Sequence, residues 1–200
     1  MIATDNESTR KRAAEVIAAG GVIGFKTDTF YGLGADPLNR IAVQKIRTVK
    51  GREEAKPILL LISDQREVDR FIQRKSQIFN RIAKAHWPGP LTLIGLARHE
   101  LPNELTAGSG TIGVRLPRDQ RVRDLVRVCG GALTATSANP SGYPPARSAN
   151  EVATYFGNAL DLIIDSGQVT VDEPSTVLDL SDEEPRMIRE GMIKRIQLGI

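Results

Sequence analysis

The sequence predicts an α/β fold, a single domain with a twisted sheet of mixed parallel and antiparallel strands flanked by helices. Three observations predict it. Helical and strand-like patterns alternate through the first half, strands dominate the second half, and no linker long enough to divide the 200 residues interrupts them. No internal repeat or low-complexity tail is present, so residues 1–200 read as one domain.

The elements follow in order. Ser8-Thr9 can cap a helix whose apolar stripe is Ala13, Val16 and Ile17 and which ends at Gly20-Gly21. Val22 to Phe25 reads as a short buried strand leading into Lys26-Thr27-Asp28-Thr29. Asp36-Pro37 opens a second helix through Ile41, Val43, Ile46 and Val49 that stops at Gly51. Pro57 to Ile62 is the most apolar run and reads as a central strand. Ser63-Asp64 caps a third helix, and Ser76 opens a fourth that Pro88-Gly89-Pro90 ends after Trp87. Strands are expected at Leu91–Leu96, Thr111–Leu116 and Leu133–Thr136, with a helix over Asp119–Val128. After the Gly/Pro/Ser-rich stretch Ser137–Ser148 come a helix over Asn150–Phe156 and strands at Leu162–Ile164, Ser175–Leu180 and Met187–Arg189.

Composition narrows the class. Apolar content of 40% and charged content of 26% are ordinary for a globular chain that buries a continuous core. The single cysteine, Cys129, excludes an internal disulfide or a cysteine-rich metal site, and a reducing, cytoplasmic compartment is the expectation. The first residues lack the layout of a signal peptide, and no apolar run approaches the roughly 18 residues of a membrane span. A net charge of +3 permits anionic partners without demanding nucleic acid. Arg115, Arg118, Arg121, Arg123 and Arg127 cluster; the last three suit a solvated helix face, whereas Arg115 and Arg118 flank a proline at a strand end and suit a ligand.

Several segments carry chemistry. Lys50, Arg52 and Lys56 lie between a helix end and the central strand. A helix dipole accounts for Lys50 comfortably, for Arg52 less well and for Lys56 hardly at all, which favours an anion site. Thr27 to Gly34 combines hydroxyls with two glycines, which fits either a tight turn or close approach of backbone to a carboxylate or phosphate. Thr134 to Gly142 places hydroxyls and the Asn139 amide just after an apolar strand, at a sheet edge where α/β proteins bind ligands. Gly108-Ser109-Gly110-Thr111-Ile112-Gly113 matches a dinucleotide pattern, but a strand follows it where a helix is required. No phosphate-binding loop, nucleophile elbow or histidine metal pair is present.

Taken in order, Thr27-Asp28-Thr29-Phe30-Tyr31-Gly32-Leu33-Gly34, Lys50-Gly51-Arg52, Lys56-Pro57, Trp87-Pro88-Gly89-Pro90-Leu91-Thr92, Gly113-Val114-Arg115-Leu116-Pro117, Ser137-Ala138-Asn139-Pro140-Ser141-Gly142 and Pro174-Ser175-Thr176-Val177 resemble the YrdC/Sua5 family, the threonylcarbamoyl-AMP synthases of tRNA modification. The resemblance runs from about Ile17 to Met192. It implies an open concave cleft and a nucleotidyltransferase that turns L-threonine, bicarbonate and ATP into threonylcarbamoyl-adenylate and pyrophosphate, for the threonylcarbamoyladenosine modification of tRNA. By the same resemblance, Thr29, Arg115, Ser137 and Ser175 meet threonine, while Arg52, Lys56, Thr111, Asn139, Arg147 and Arg189 meet ATP. Lys50 and Arg52 are the implied catalytic cations. Mg2+ is expected with ATP, held by phosphates and water and by no protein metal site. Implied partners are proteins that pass the product to tRNA, with contact to the RNA itself.

Three departures stand out. Lys26-Thr27-Asp28-Thr29 replaces the Pro-Thr-Glu-Thr of many relatives, so Lys26 adds a cation that could reach substrate. Leu61 stands where many carry histidine, and the chain resembles the short, single-domain form. The competing readings are an RNA-binding module without synthase activity, poorly served by 4% aromatic content, and a carbamoyl-adenylate activity like that of hydrogenase-maturation carbamoyltransferases.

Overall fold

A computed structural model describes residues 1–51 and 57–200. The order is β1 (Ile2–Thr4), α1 (Glu7–Ala18), β2 (Ile23–Lys26), β3 (Tyr31–Gly34), α2 (Arg40–Lys50), β4 (Leu60–Ile62), a 3₁₀ turn (Gln65–Arg70), α3 (Gln77–His86), β5 (Leu91–Leu96), α4 (Asn103–Thr106), β6 (Thr111–Arg115), α5 (Gln120–Val128), β7 (Ala132–Thr134), β8 (Thr136–Ser137), α6 (Ala149–Phe156), β9 (Leu162–Asp165), β10 (Thr176–Asp179), β11 (Arg186–Arg189) and α7 (Arg195–Leu198).

The α/β class holds, with one correction: the expected sheet is two. Among the described residues, a five-stranded sheet runs β1-β9-β2-β3-β8 and a six-stranded sheet runs β11-β10-β5-β6-β4-β7, and both mix parallel and antiparallel pairs. The expected single strand over Leu133–Thr136 is where the chain changes sheets. Thr134 pairs with Leu60 of β4, whereas Thr136 pairs with Leu33 of β3. Thr27–Gly34 is the turn and second arm of an antiparallel hairpin, with Lys26 opposite Tyr31.

Caps set the helix starts. Asn6, ahead of the expected Ser8-Thr9, accepts the Thr9 N–H at 2.9 Å. Asn39, three residues past Asp36, accepts the Ala42 N–H at 3.1 Å and opens α2. Gly51 ends α2 in the left-handed region at φ 57°, a conformation glycine adopts without strain. Ser76, Asp119 and Ser148 cap α3, α5 and α6. The expected helix after Asp64 tightens to a 3₁₀ turn, and the strand expected from Pro57 is regular only from Leu60.

Two apolar clusters fill the interior, and each draws on both sheets. One joins Tyr31 and Leu33 to Leu60, Leu93, Val114 and Leu178; the other joins Ile23, Phe25 and Leu162 to Leu61 and Leu133 beneath α1 and α5. Among the described residues, no helix is long and apolar enough to cross a membrane.

The return from β11 hangs on one hydroxyl. Thr176 is fully buried; its Oγ1 donates to the Ile193 carbonyl at 2.6 Å and accepts the N–H groups of Gly191 and Ile193, each at 3.0 Å. Thr176→Val keeps the shape but strands two buried donors, so it should destabilise the fold by about 2–4 kcal/mol. A urea midpoint equal to that of wild type would show that these bonds are dispensable.

Candidate active site

A cleft of about 560 Å³ opens where the two sheets meet. Its floor is one face of the six-stranded sheet. Side chains alternate across a strand, and the cleft takes every second residue: Leu59 and Leu61, Thr92 and Ile94, Gly113 and Arg115, Ser175 and Val177, then Arg189. Register aligns them, since Leu61 pairs with Arg115, Ile94 with Gly113, and Val177 with both Thr92 and Arg189. Gly113 keeps the floor open, because a Cβ there would lie 3.1 Å from the Thr92 methyl. The five-stranded sheet supplies the wall: Thr27, Thr29, Tyr31 and Gly32 from the hairpin, and Thr136 and Ser137 from β8.

Arg115, 3% exposed, dominates the electrostatics. Its Nη2 donates to Asp28 in a short ion pair, and both Nη1 and Nη2 lie 3.5 Å from the Thr29 hydroxyl. Asp28 also accepts the Arg118 N–H at 3.1 Å. The Arg115 Nε is buried without a hydrogen-bond partner. Arg189 donates from Nε to the Ser175 carbonyl at 3.0 Å and from Nη2 to the Ser175 hydroxyl at 3.2 Å. Burial, and then the charge of Arg115, hold the Arg189 pKa below its ordinary value. Two guanidiniums that line one cavity and feel each other's charge favour an anion beside them.

The opening on the β8 side is built differently. Asn139, 8% exposed, donates from Nδ2 to the carbonyls of Pro140 and Tyr143 at 3.0 and 2.7 Å, while its Oδ1 is buried without a partner. Lys50 lines the cleft, but its ammonium donates to the backbone carbonyls of Ser137 and Asn139.

Among the expected site residues, Thr29, Lys50, Arg115, Ser137, Asn139, Ser175 and Arg189 line this one cleft. Two do not. Thr111 shares the face of β6 with Gly113 and Arg115, but its hydroxyl bonds Ser109 at 3.0 Å, beyond the lining. Arg147 bonds the Val171 carbonyl at 3.2 Å and the Asp172 carboxylate at 2.8 Å, also outside the lining. Lys26 donates to the Gln168 carbonyl at 2.9 Å and does not line the cleft. Arg52 and Lys56 lie outside the described residues. Thr92, Leu59 and Ile94 had no expected role; the signal for Leu59 and Ile94 is strand alternation, and Thr92 also ends the Trp87–Thr92 segment that carries the family resemblance. Among the described lining residues the polar groups are hydroxyls, an amide and cations, with no carboxylate, a set that suits anions and offers Mg2+ no carboxylate ligand.

Residues 15–191 match the Sua5/YciO/YrdC family model, described as telomere recombination. The chain is similar to the threonylcarbamoyl-AMP synthase of Pyrococcus abyssi, at 35% identity over 90% of this chain, and spans 53% of that protein. It is 33% identical over 84% of its length to the threonylcarbamoyl-AMP synthase of Halorhodospira halophila, spanning 88% of that chain. Among solved structures, P. abyssi Sua5 complexed with L-threonine superposes with a TM-score of 0.89 at 33% identity, covering 96% of this chain and 56% of that one.

The Asp28–Arg115 pair generates a stability prediction. Removing one member of a buried pair leaves the other charge uncompensated, so Asp28→Ala should cost about 3 kcal/mol. Urea denaturation measures it; a change below about 0.5 kcal/mol would mean that water reaches Arg115 freely.

Proposed function

The chain belongs to the Sua5/YciO/YrdC family, and from that premise we propose that it is a nucleotidyltransferase, an L-threonylcarbamoyl-adenylate synthase. Threonine, bicarbonate and ATP enter, and threonylcarbamoyl-adenylate, pyrophosphate and water leave. One observation carries this reading: a single cleft holds a buried donor, Arg115 Nε, and a buried acceptor, Asn139 Oδ1, each without a protein partner. Unpaired buried polar atoms are costly, so the site calls for a ligand with an anionic end for Arg115 and a donor end for Asn139. An amino-acid carboxylate supplies the first. A ribose hydroxyl or adenine amine supplies the second.

The chemistry follows from that placement. Threonine's carboxylate lies against Arg115, with its hydroxyl among Thr29, Ser175 and Ser137. The amine takes up carbon from bicarbonate with loss of water. A carbamate oxygen then attacks the α-phosphorus of ATP, and the bond to the leaving pyrophosphate breaks. Charge accumulates on phosphate oxygens, so prepositioned cations supply most of the catalysis and a strong general base is dispensable. Arg189 serves the phosphates from within the cleft, and Arg52 and Lys56 are assigned to them by family resemblance. Mg2+ arrives as part of the nucleotide substrate. We assign the product to tRNA modification in the cytoplasm, through partner proteins that receive it.

Pyrophosphate release tests the proposal. It should require threonine, bicarbonate and ATP together; release without threonine would refute it. Arg115→Ala should lower kcat/KM for threonine by about a hundredfold, the loss of a charge-assisted contact, and Arg52→Ala should remove turnover without unfolding the protein.

A further inference from the structure

Lys50 lines the cleft, and its ammonium reaches backbone far along the chain. The residue is 4% exposed, and Nζ donates to the carbonyls of Ser137 and Asn139, the latter at 2.7 Å. Its own carbonyl accepts the Ser141 N–H at 2.9 Å. One residue at the end of α2 thus holds the segment Ser137–Ser141 at three points.

These ties fix what the segment shows to the cleft. Carbonyls two residues apart both turn towards one ammonium, and Ser137 and Asn139 both contribute to the cleft lining. Turned so, the Asn139 amide donates to Pro140 and Tyr143, which leaves its unpartnered Oδ1 as the group free to receive a ligand donor. Each bond from a buried ammonium to a carbonyl is charge-assisted, so turning either carbonyl away from Lys50 gives up such a bond.

We propose that Lys50 is a positioning residue: it locks Ser137 and Asn139 in one register and thereby couples the amino-acid and nucleotide parts of the site. The proposal rests on the substrate reading above, in which Ser137 meets threonine and Asn139 meets the nucleoside. It separates Lys50 from a phosphate cation by a simple criterion. A phosphate cation affects ATP alone, whereas a positioning residue affects threonine as well.

Lys50→Met keeps the aliphatic stem and removes the ammonium. Calorimetric titration with L-threonine, without nucleotide, should show binding about tenfold weaker than wild type, and kinetics should show the KM of threonine and of ATP rising together. A second variant covers the case in which Lys50→Met fails to fold. Tyr143 N–H bonds the Pro140 carbonyl at 3.1 Å and Gly142 has φ 86°, so Ser141 occupies the second position of a turn that accepts proline. Ser141→Pro deletes the N–H that ties this segment to the Lys50 carbonyl and also the Ser141 hydroxyl that lines the cleft, so it is compared with Ser141→Ala, which removes the hydroxyl alone. Relative to Ser141→Ala it should weaken threonine about threefold while the melting midpoint stays above the assay temperature. Unchanged threonine affinity in either folded variant, with only ATP weakened, overturns the proposal. Wild-type protein that binds no threonine overturns the substrate reading and this inference with it, and is told apart because the failure precedes any substitution.

Discussion

The ion pair between Asp28 and Arg115 joins the two halves of the molecule. Asp28 lies in the turn of the β2–β3 hairpin, in the five-stranded sheet, and Arg115 ends β6 in the six-stranded one. A guanidinium is buried at this depth only with a partner, so the pair dictates how closely the hairpin turn approaches the sheet end. Asp28 then also accepts the Arg118 N–H, which fixes the chain as it leaves β6. Because the carboxylate engages a terminal nitrogen, Nε is left over, and the charge of Arg189 adds to that of Arg115. The structural tie therefore leaves one Arg115 donor over, with the Arg189 cation lining the same cleft.

The anion recognition proposed for this cleft uses no glycine-rich phosphate loop. Such loops present backbone N–H groups at a helix start. Here side chains standing on strands supply the donors, with Arg115 on β6, Ser175 just before β10 and Arg189 on β11. Strand-borne groups are held by sheet register, so their spacing is as fixed as the hydrogen-bond ladder beneath them. That fixity suits a reaction whose demand is charge placed in advance.

Much of this was legible in the sequence, unevenly. Helix positions were readable because caps and apolar stripes are local, and even there Asn39 took the role expected near Asp36. The division into two sheets was not readable. Alternation assigns a strand its faces but not its partners, so Leu133–Thr136 looked like one strand although its two ends bond different sheets. Arg115 and Ser175 were found because hydroxyls and cations at strand ends are conspicuous. Thr92 and Ile94 went without a role because they look like strand interior, and only the register with Gly113 and Val177 turns them to the cleft. Lys50 shows the limit most clearly. Sequence reports a charge, but whether that charge meets a phosphate or a carbonyl depends on residues 87 and 89 positions later in the chain.

The change of sheet at Ala135 explains why both substrates in the proposed reaction can share one site. Up to Thr134 the chain belongs to the sheet whose face carries Arg115; from Thr136 it belongs to the sheet that carries Thr29. The segment after the crossing is the one that Lys50 fastens, and it presents Ser137 and Asn139 two residues apart. Two reactants bound on separate, independently moving elements would have to be aligned at each encounter, at an entropic cost. In the proposed site one short segment, pinned at a sheet junction, offers Ser137 to one reactant and Asn139 to the other, so the spacing of those two contacts is set before either arrives.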